Sequence, residues 1–197
     1  GFPEHLFRAL LVGSGQVEAI LEAPQIRGVS VTGSTRAGKA VAARAGEMLK
    51  KSVLELGGSD PYIVLADADL ELAVEKCVSS RLINTGQSCI AAKRFIVVEE
   101  RRGEFEDRFV ERMQSVAMGD PLREETDIGP LARHDLRDAL HDQVRKSIEN
   151  GAECLLGGVL PEGKGAFYPP TVLTSVGKGM PAYEEETFGP VAAIIPV

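Results

Sequence analysis

Gly28-Val29-Ser30-Val31-Thr32-Gly33-Ser34-Thr35-Arg36-Ala37-Gly38-Lys39-Ala40 is the stretch on which the fold turns. A short apolar run enters a Gly-Ser-Thr turn, and beyond it Val41, Ala42, Ala45, Met48 and Leu49 form the apolar face of a helix running to about Lys50. Upstream, Leu10-Leu11-Val12 reads as another strand entering the Gly13-Ser14-Gly15 turn, followed by a short helix from Val17 to Leu21. Downstream, Ser52 to Leu56 is a strand ended by Gly57-Gly58, and Pro61 to Leu65 is a further strand. Strands and helices alternate, so an α/β layer is expected.

The alternation continues along the chain. Asp67 or Asp69 can cap a helix that carries Leu70, Ala73, Val74, Cys77 and Val78 at i, i+3, i+4, i+7 and i+8 spacing. That helix stops at Asn84-Thr85-Gly86, which leaves Cys89 in a turn feeding the next apolar segment. Lys93 to Val98 is then a strand, and Arg101 to Met118 an amphipathic helix with Phe105, Phe109, Val110 and Met113 inward, broken by Gly119-Asp120-Pro121. From about Ala132 to Asn150 a longer helix places Leu136, Leu140, Val144 and Ile148 on one side, with Gly151 where a terminating glycine belongs. The run Val191 to Val197 reads as a buried strand with nothing after it to cover it, and the chain opens on Gly1-Phe2-Pro3 without a methionine. A fragment of a longer protein is expected.

Bulk properties exclude several classes. A chain of 197 residues has ample length for a buried core. A net charge of −7 with interspersed signs and 5% aromatic residues gives no basic stripe and little base stacking, so nucleic acid is not expected as a partner. No apolar stretch approaches the roughly 20 residues that span a bilayer, and no charged segment followed by an apolar run opens the chain; no membrane partner is expected. Cys77, Cys89 and Cys154 are odd in number and widely spaced, which suits neither a disulfide framework nor a zinc site, so a reducing, cytoplasmic setting is expected. His134 and His141 stand seven apart on one helix, too far for a two-ligand pair, and no metal is assigned.

The chemistry concentrates in two glycine-containing turns. Cys77 and Cys154 fit the habit of free cysteines as small buried hydrophobes. Cys89 differs, because in Asn84-Thr85-Gly86-Gln87-Ser88-Cys89 polar and glycine neighbours let backbone N–H groups face a substrate oxygen. A free thiol titrates near about 8.5, so at neutral pH a nucleophilic cysteine needs a group that lowers that value or takes its proton. Glu55-Leu56-Gly57-Gly58 supplies a carboxylate; alone it would be a solvated strand-end residue, but with Cys89 it allows thiolate attack followed by base-assisted thioester hydrolysis. A rival chemistry sits at Gly33 to Lys39, where Gly, four residues and Gly-Lys nearly complete a phosphate-binding loop. Ala40 stands where that loop needs a hydroxyl for magnesium, so a phosphoryl-transfer enzyme would lack its metal ligand, and a plain strand-to-helix turn capped by Ser34 is the bland alternative.

Glu55-Leu56-Gly57-Gly58 and Asn84-Thr85-Gly86-Gln87-Ser88-Cys89, with 34 residues from Glu55 to Cys89, resemble signature segments of the NAD(P)-dependent aldehyde dehydrogenases. Glu185-Glu186-Thr187-Phe188-Gly189-Pro190, with Glu186 97 residues after Cys89, looks like the Glu-x-Phe-Gly-Pro motif of the same family. The resemblance covers the whole chain. It implies residues 1–56 as the C-terminal part of a Rossmann-like dinucleotide-binding domain and residues 57–197 as most of the catalytic domain, truncated at its C-terminus.

It further implies Cys89 as nucleophile, Glu55 as general base and NAD or NADP as cofactor. Gly33 and Ser34 would meet the pyrophosphate, the Leu56 backbone would touch the carboxamide, Glu186 would hold the nicotinamide ribose, and Phe188 would pack near the nicotinamide. An aldehyde substrate and a homo-oligomeric parent, dimer or tetramer, are likewise implied. Glu55 to Pro61 together with Gly129-Pro130-Leu131-Ala132-Arg133 and Asp135-Leu136-Arg137 looks most like bacterial succinate-semialdehyde dehydrogenases. Two positions depart from that group: Ile83 replaces the arginine expected to bind the substrate carboxylate, with Arg81 two residues earlier, and Ala91 replaces a redox-partner cysteine. The competing classes are a non-catalytic nucleotide-binding or assembly fragment and, more distantly, a phosphoryl-transfer enzyme.

Overall fold

The computed structural model describes residues 1–197, which divide into two compact units, Gly1–Gly57 and Gly58–Val197. In the first, a 3-10 turn at Ser14–Gln16 leads into α1 (Val17–Glu22), β1 (Gly28–Thr32), α2 (Thr35–Glu47) and β2 (Lys51–Glu55). The two strands run parallel in unbroken register, from Gly28 opposite Lys51 to Thr32 opposite Glu55. Ser34 starts α2 from an extended backbone, and its Oγ accepts the Ala37 N–H at 3.2 Å, a cap that contributes about 1 kcal/mol. Gly38 is buried in the middle of α2 because Leu56 fills the space beside it: a Cβ there would lie 2.5 Å from the leucine Cδ2.

Leu10-Leu11-Val12, expected as a strand, is irregular and exposed. Three apolar residues do not make a strand without a neighbouring ladder to pair with. Met48 and Leu49, expected on the inner face of α2, are also exposed, since the helix ends at Glu47 and Leu49 turns out with φ 53°.

The second unit contains β3 (Asp60–Val64), α3 (Leu70–Leu82), β4 (Ala92–Val97), α4 (Glu99–Gln114), α5 (His134–Glu149), β5 (Glu153–Leu156), β6 (Thr171–Thr174), α6 (Pro181–Glu184) and β7 (Val191–Pro196). Its sheet has the order β3-β4-β7-β6-β5; the first four strands are parallel, and β5 closes one edge antiparallel to β6. Side-chain alternation splits β7 between two cores. Ala192 and Ile194 join Phe95, Val97, Val74, Cys77, Phe105 and Phe109 on the α3/α4 face. Val191, Ala193 and Ile195 join Leu140, Val144 and Tyr168 on the α5 face. The result is a helix–sheet–helix sandwich.

The Val191–Val197 run, expected as a buried strand with nothing after it to cover it, is the buried central strand of the sheet, covered on both faces by elements that precede it. Asp69 rather than Asp67 caps α3, accepting the Leu72 N–H at 3.2 Å. Helix α4 begins at Glu99 and stops at Gln114, and Met118 instead bridges Ile128. On α5, Leu136 and Ile148 lie at the rim while Leu140, Val144 and Ser147 are buried. No helix is long and apolar enough to cross a membrane.

Phe109 is fully buried, with its ring centroid 5.1 Å from that of Phe95 and 5.3 Å from that of Phe105. Truncation to alanine removes an aromatic from both contacts, and Phe109→Ala is expected to cost about 3–5 kcal/mol, read as a lower urea midpoint. An unchanged midpoint would contradict this packing.

Candidate active site

The turn that carries Cys89 is built from unusual backbone. After α3, Asn84 (φ 50°, ψ 46°), Thr85 (φ 57°, ψ 30°) and Gly86 (φ 75°) follow one another in the left-handed region. Asparagine visits this region readily, whereas a β-branched threonine there costs about 1–3 kcal/mol. Side-chain bonds hold the turn: Thr85 Oγ1 accepts the Gly129 N–H at 3.2 Å, Asn84 Nδ2 donates to the Gln87 carbonyl at 3.0 Å, and Gln87 Oε1 accepts the Ala132 N–H at 2.8 Å. Gly86 is obligatory, because a Cβ would sit 2.2 Å from the Gly189 carbonyl oxygen. The Asn-Thr-Gly and Phe-Gly-Pro segments, remote in sequence, therefore touch backbone to backbone.

Cys89 emerges exposed from this turn. Cys77 is buried on α3, and burial pushes its thiol up to about 12. Cys154, expected to be buried, is exposed because β5 is the sheet's edge strand.

Two buried cations support the turn, and neither was singled out in the sequence for this role. Lys93, 1% exposed, donates through Nζ to the carbonyls of Ser88 (3.0 Å), Cys89 (2.9 Å) and Ala91 (3.2 Å), and lies 3.3 Å from Glu186 Oε1. Arg81, fully buried, donates Nη2 to the Gly86 carbonyl at 2.7 Å, while its Nε and Nη1 have no partner. Burial lowers the pKa of Arg81 to about 10 against the attraction of Glu186. Burial likewise lowers that of Lys93, with Glu186 and Asp60 opposing and Arg81 adding to the shift. A lysine opening an apolar strand was the available signal, since such a residue must find acceptors when buried.

Glu186 is thus no free surface acid: its Oε1 also accepts the Gly58 N–H at 3.2 Å. Its neighbour Glu185 accepts from Gln143 Nε2 at 2.7 Å. Phe188 is partly exposed, and Gly189-Pro190 lead directly into β7. Cys89, Glu186 and Phe188 accordingly belong to one assembly within the second unit.

Gly33, Ser34, Glu55 and Leu56 lie together in the first unit. Glu55 ends β2 with its side chain exposed, and its carbonyl accepts the Gly33 N–H at 3.0 Å. This bond ties the turn opening α2 to the strand bearing the carboxylate. With Ser34 Oγ serving as cap acceptor, its hydroxyl proton stays available to donate. Beside this helix start lies a groove of about 490 Å³, lined by Val17, Leu21, Val31 and Val41 together with the Glu18–Arg44 ion pair, which the sequence reading did not identify. No cluster of three or more His, Cys, Asp or Glu is placed to hold a metal ion.

At pH 7, iodoacetamide should modify Cys89 rapidly and leave Cys77 untouched until the protein unfolds, because a thiol titrating at about 12 is fully protonated there. Peptide mapping showing equal rates would contradict this. Gly86→Ala should lower stability by more than about 2 kcal/mol, whereas Gly103→Ala, in open space on α4, should raise it by about 0.5–1 kcal/mol; thermal melts of the pair check both signs.

Residues 1–197 match the sequence profile of the Aldehyde dehydrogenase family. Succinate semialdehyde dehydrogenase (NAD(P)+) Sad of Escherichia coli (strain K12) is 53% identical over 194 residues, covering 98% of this chain and 42% of that protein. A succinate-semialdehyde dehydrogenase (NADP(+)) of Mycobacterium avium (strain 104) is 50% identical, covering 98% of this chain and 41% of that one. Among solved structures, succinic semialdehyde dehydrogenase from Streptococcus pyogenes in complex with NADP+ superposes with a TM-score of 0.91 at 36% identity, over 95% of this chain and 41% of that one. Lactaldehyde dehydrogenase from Escherichia coli gives 0.89 at 41% identity, over 92% and 38%. The chain spans about two fifths of the length of these relatives, and it belongs to the aldehyde dehydrogenase family.

Proposed function

We propose that this chain carries the nucleophile, the base and part of the dinucleotide site of an NAD(P)+-dependent aldehyde dehydrogenase acting on succinate semialdehyde. The observation that carries the reading is Cys89: exposed, on a turn fixed by Gly86 and Lys93, in a chain 53% identical to a succinate semialdehyde dehydrogenase. Residues 1–56 are assigned as the C-terminal part of the dinucleotide-binding domain and residues 57–197 as the thiol-bearing catalytic domain.

The residues present suit a dinucleotide. In the first unit the start of α2 offers unpaired N–H groups and the Ser34 hydroxyl to a pyrophosphate, with a largely apolar groove beside it; in the second, Glu186 offers a carboxylate acceptor to ribose hydroxyls. Gly33 shapes the turn, the Leu56 backbone would meet the carboxamide, and Phe188 would pack by the ring. Bound NAD+ or NADP+ supplies the hydride acceptor for the chemistry. The Cys89 thiolate adds to the aldehyde carbon, giving a thiohemiacetal that becomes a thioester as hydride departs. Glu55 then takes a proton from water, the resulting hydroxide attacks the thioester carbonyl, and the acid leaves as the thiol is restored. Ile83 brings no charge to a substrate carboxylate, and Arg81 is wholly buried and bonded to Gly86, so any cation recognising that carboxylate lies outside this turn.

In the natural full-length polypeptide, succinate semialdehyde should drive NAD(P)H formation that Cys89→Ala abolishes. Glu55→Gln should keep a single-turnover burst while steady turnover falls by about a hundredfold or more. Oxidation surviving Cys89→Ala would sink the mechanism. Equal kcat/KM for propanal and succinate semialdehyde would sink the substrate assignment.

A further inference from the structure

We propose that Lys93 is a positioning residue that joins the thiol turn to Glu186, so that nucleophile and dinucleotide contact are held by one ammonium. The inference rests on the roles proposed above for Cys89 and Glu186. Lys93 shares its three N–H bonds among the carbonyls of Ser88, Cys89 and Ala91 and one oxygen of Glu186. No other side chain bonds to both segments. On the far side, Gly58 N–H binds the same carboxylate oxygen, and Oε2 carries no hydrogen bond and is free for a ligand.

Stability does not account for a lysine here, because a buried ion pair is often no better than apolar residues of similar volume. The surrounding charges are the cation of Arg81 and the carboxylates of Glu186 and Asp60. Holding two chain segments in a fixed relation is what the ammonium supplies that a methylene chain does not. It acts on Cys89 through the residue's own carbonyl, leaving the thiol unblocked.

The test uses the natural full-length protein with Lys93→Met, Glu186→Gln and the double variant. Two readouts are followed: iodoacetamide labelling of Cys89 without dinucleotide, and KM for dinucleotide and for aldehyde alongside kcat. Each single change should shift the labelling rate about tenfold, the size expected for losing a hydrogen bond to a charged group, and the double variant should shift it no further. The dinucleotide KM should rise about tenfold in Lys93→Met with aldehyde KM little changed, and Lys93→Arg should recover part of it.

Labelling effects that multiply in the double variant, or a folded Lys93→Met with both readouts as in the parent, overturn the coupling. If Lys93→Met does not fold, Lys93→Gln, uncharged and still polar, replaces it in the labelling cycle and the same multiplicative outcome overturns the proposal. A parent protein that forms no NAD(P)H with any aldehyde overturns the functional reading instead, while the labelling cycle still decides the coupling.

Discussion

β4 and β7 are parallel neighbours, and this one pairing fixes most of what matters in the second unit. Parallel strands are entered from the same end, so the loops that precede them must meet there. The loop before β4 carries Cys89 and the loop before β7 carries Glu186 and Phe188. Ligands in open α/β sheets usually gather outside the carboxyl ends of the strands. Here the proposed chemistry sits at the opposite end, where the two preceding loops meet.

That placement has an electrostatic consequence. The end of α3 that arrives at the site is its carboxyl end, which bears partial negative charge and unpaired carbonyls. Arg81 in its last turn and Lys93 near the start of β4 place buried donors on the carbonyls of the turn that follows the helix, and Glu186 lies against Lys93. The polar core of the site is therefore a compensated set rather than one salt bridge. Losing any member leaves another buried and unmatched, where the penalty is several times that of a surface pair.

The α/β class, most helices and the three motifs were legible because periodicity and glycine punctuation are local signals. Leu10-Leu11-Val12 misled because strand identity depends on a partner that local sequence does not show. The central position of Val191–Pro196 was hidden for the same reason: an apolar run announces burial but not which strands flank it. At the site, Cys89 was visible through its glycine-rich neighbours, but Lys93 was hidden in an apolar strand. Its meaning lies in carbonyls four and five residues back and a carboxylate nearly a hundred residues on. The reason for Gly86 was equally non-local, since the atom that excludes a side chain belongs to Gly189.

The sheet's central strand also lies far from its neighbour β4 in the chain, with Arg94 paired to Ala193. β3 joins β4 through the α3 crossover and β6 joins β7 through a shorter connection, so the long-range step is the meeting of β4 with β7. Closing so long a loop carries an entropy cost before any contact offsets it, which slows folding and prolongs exposure of unpaired edges. The arrangement that fixes the site's geometry thus makes its assembly a late event, in which sheet closure and formation of the Gly86–Gly189 contact coincide.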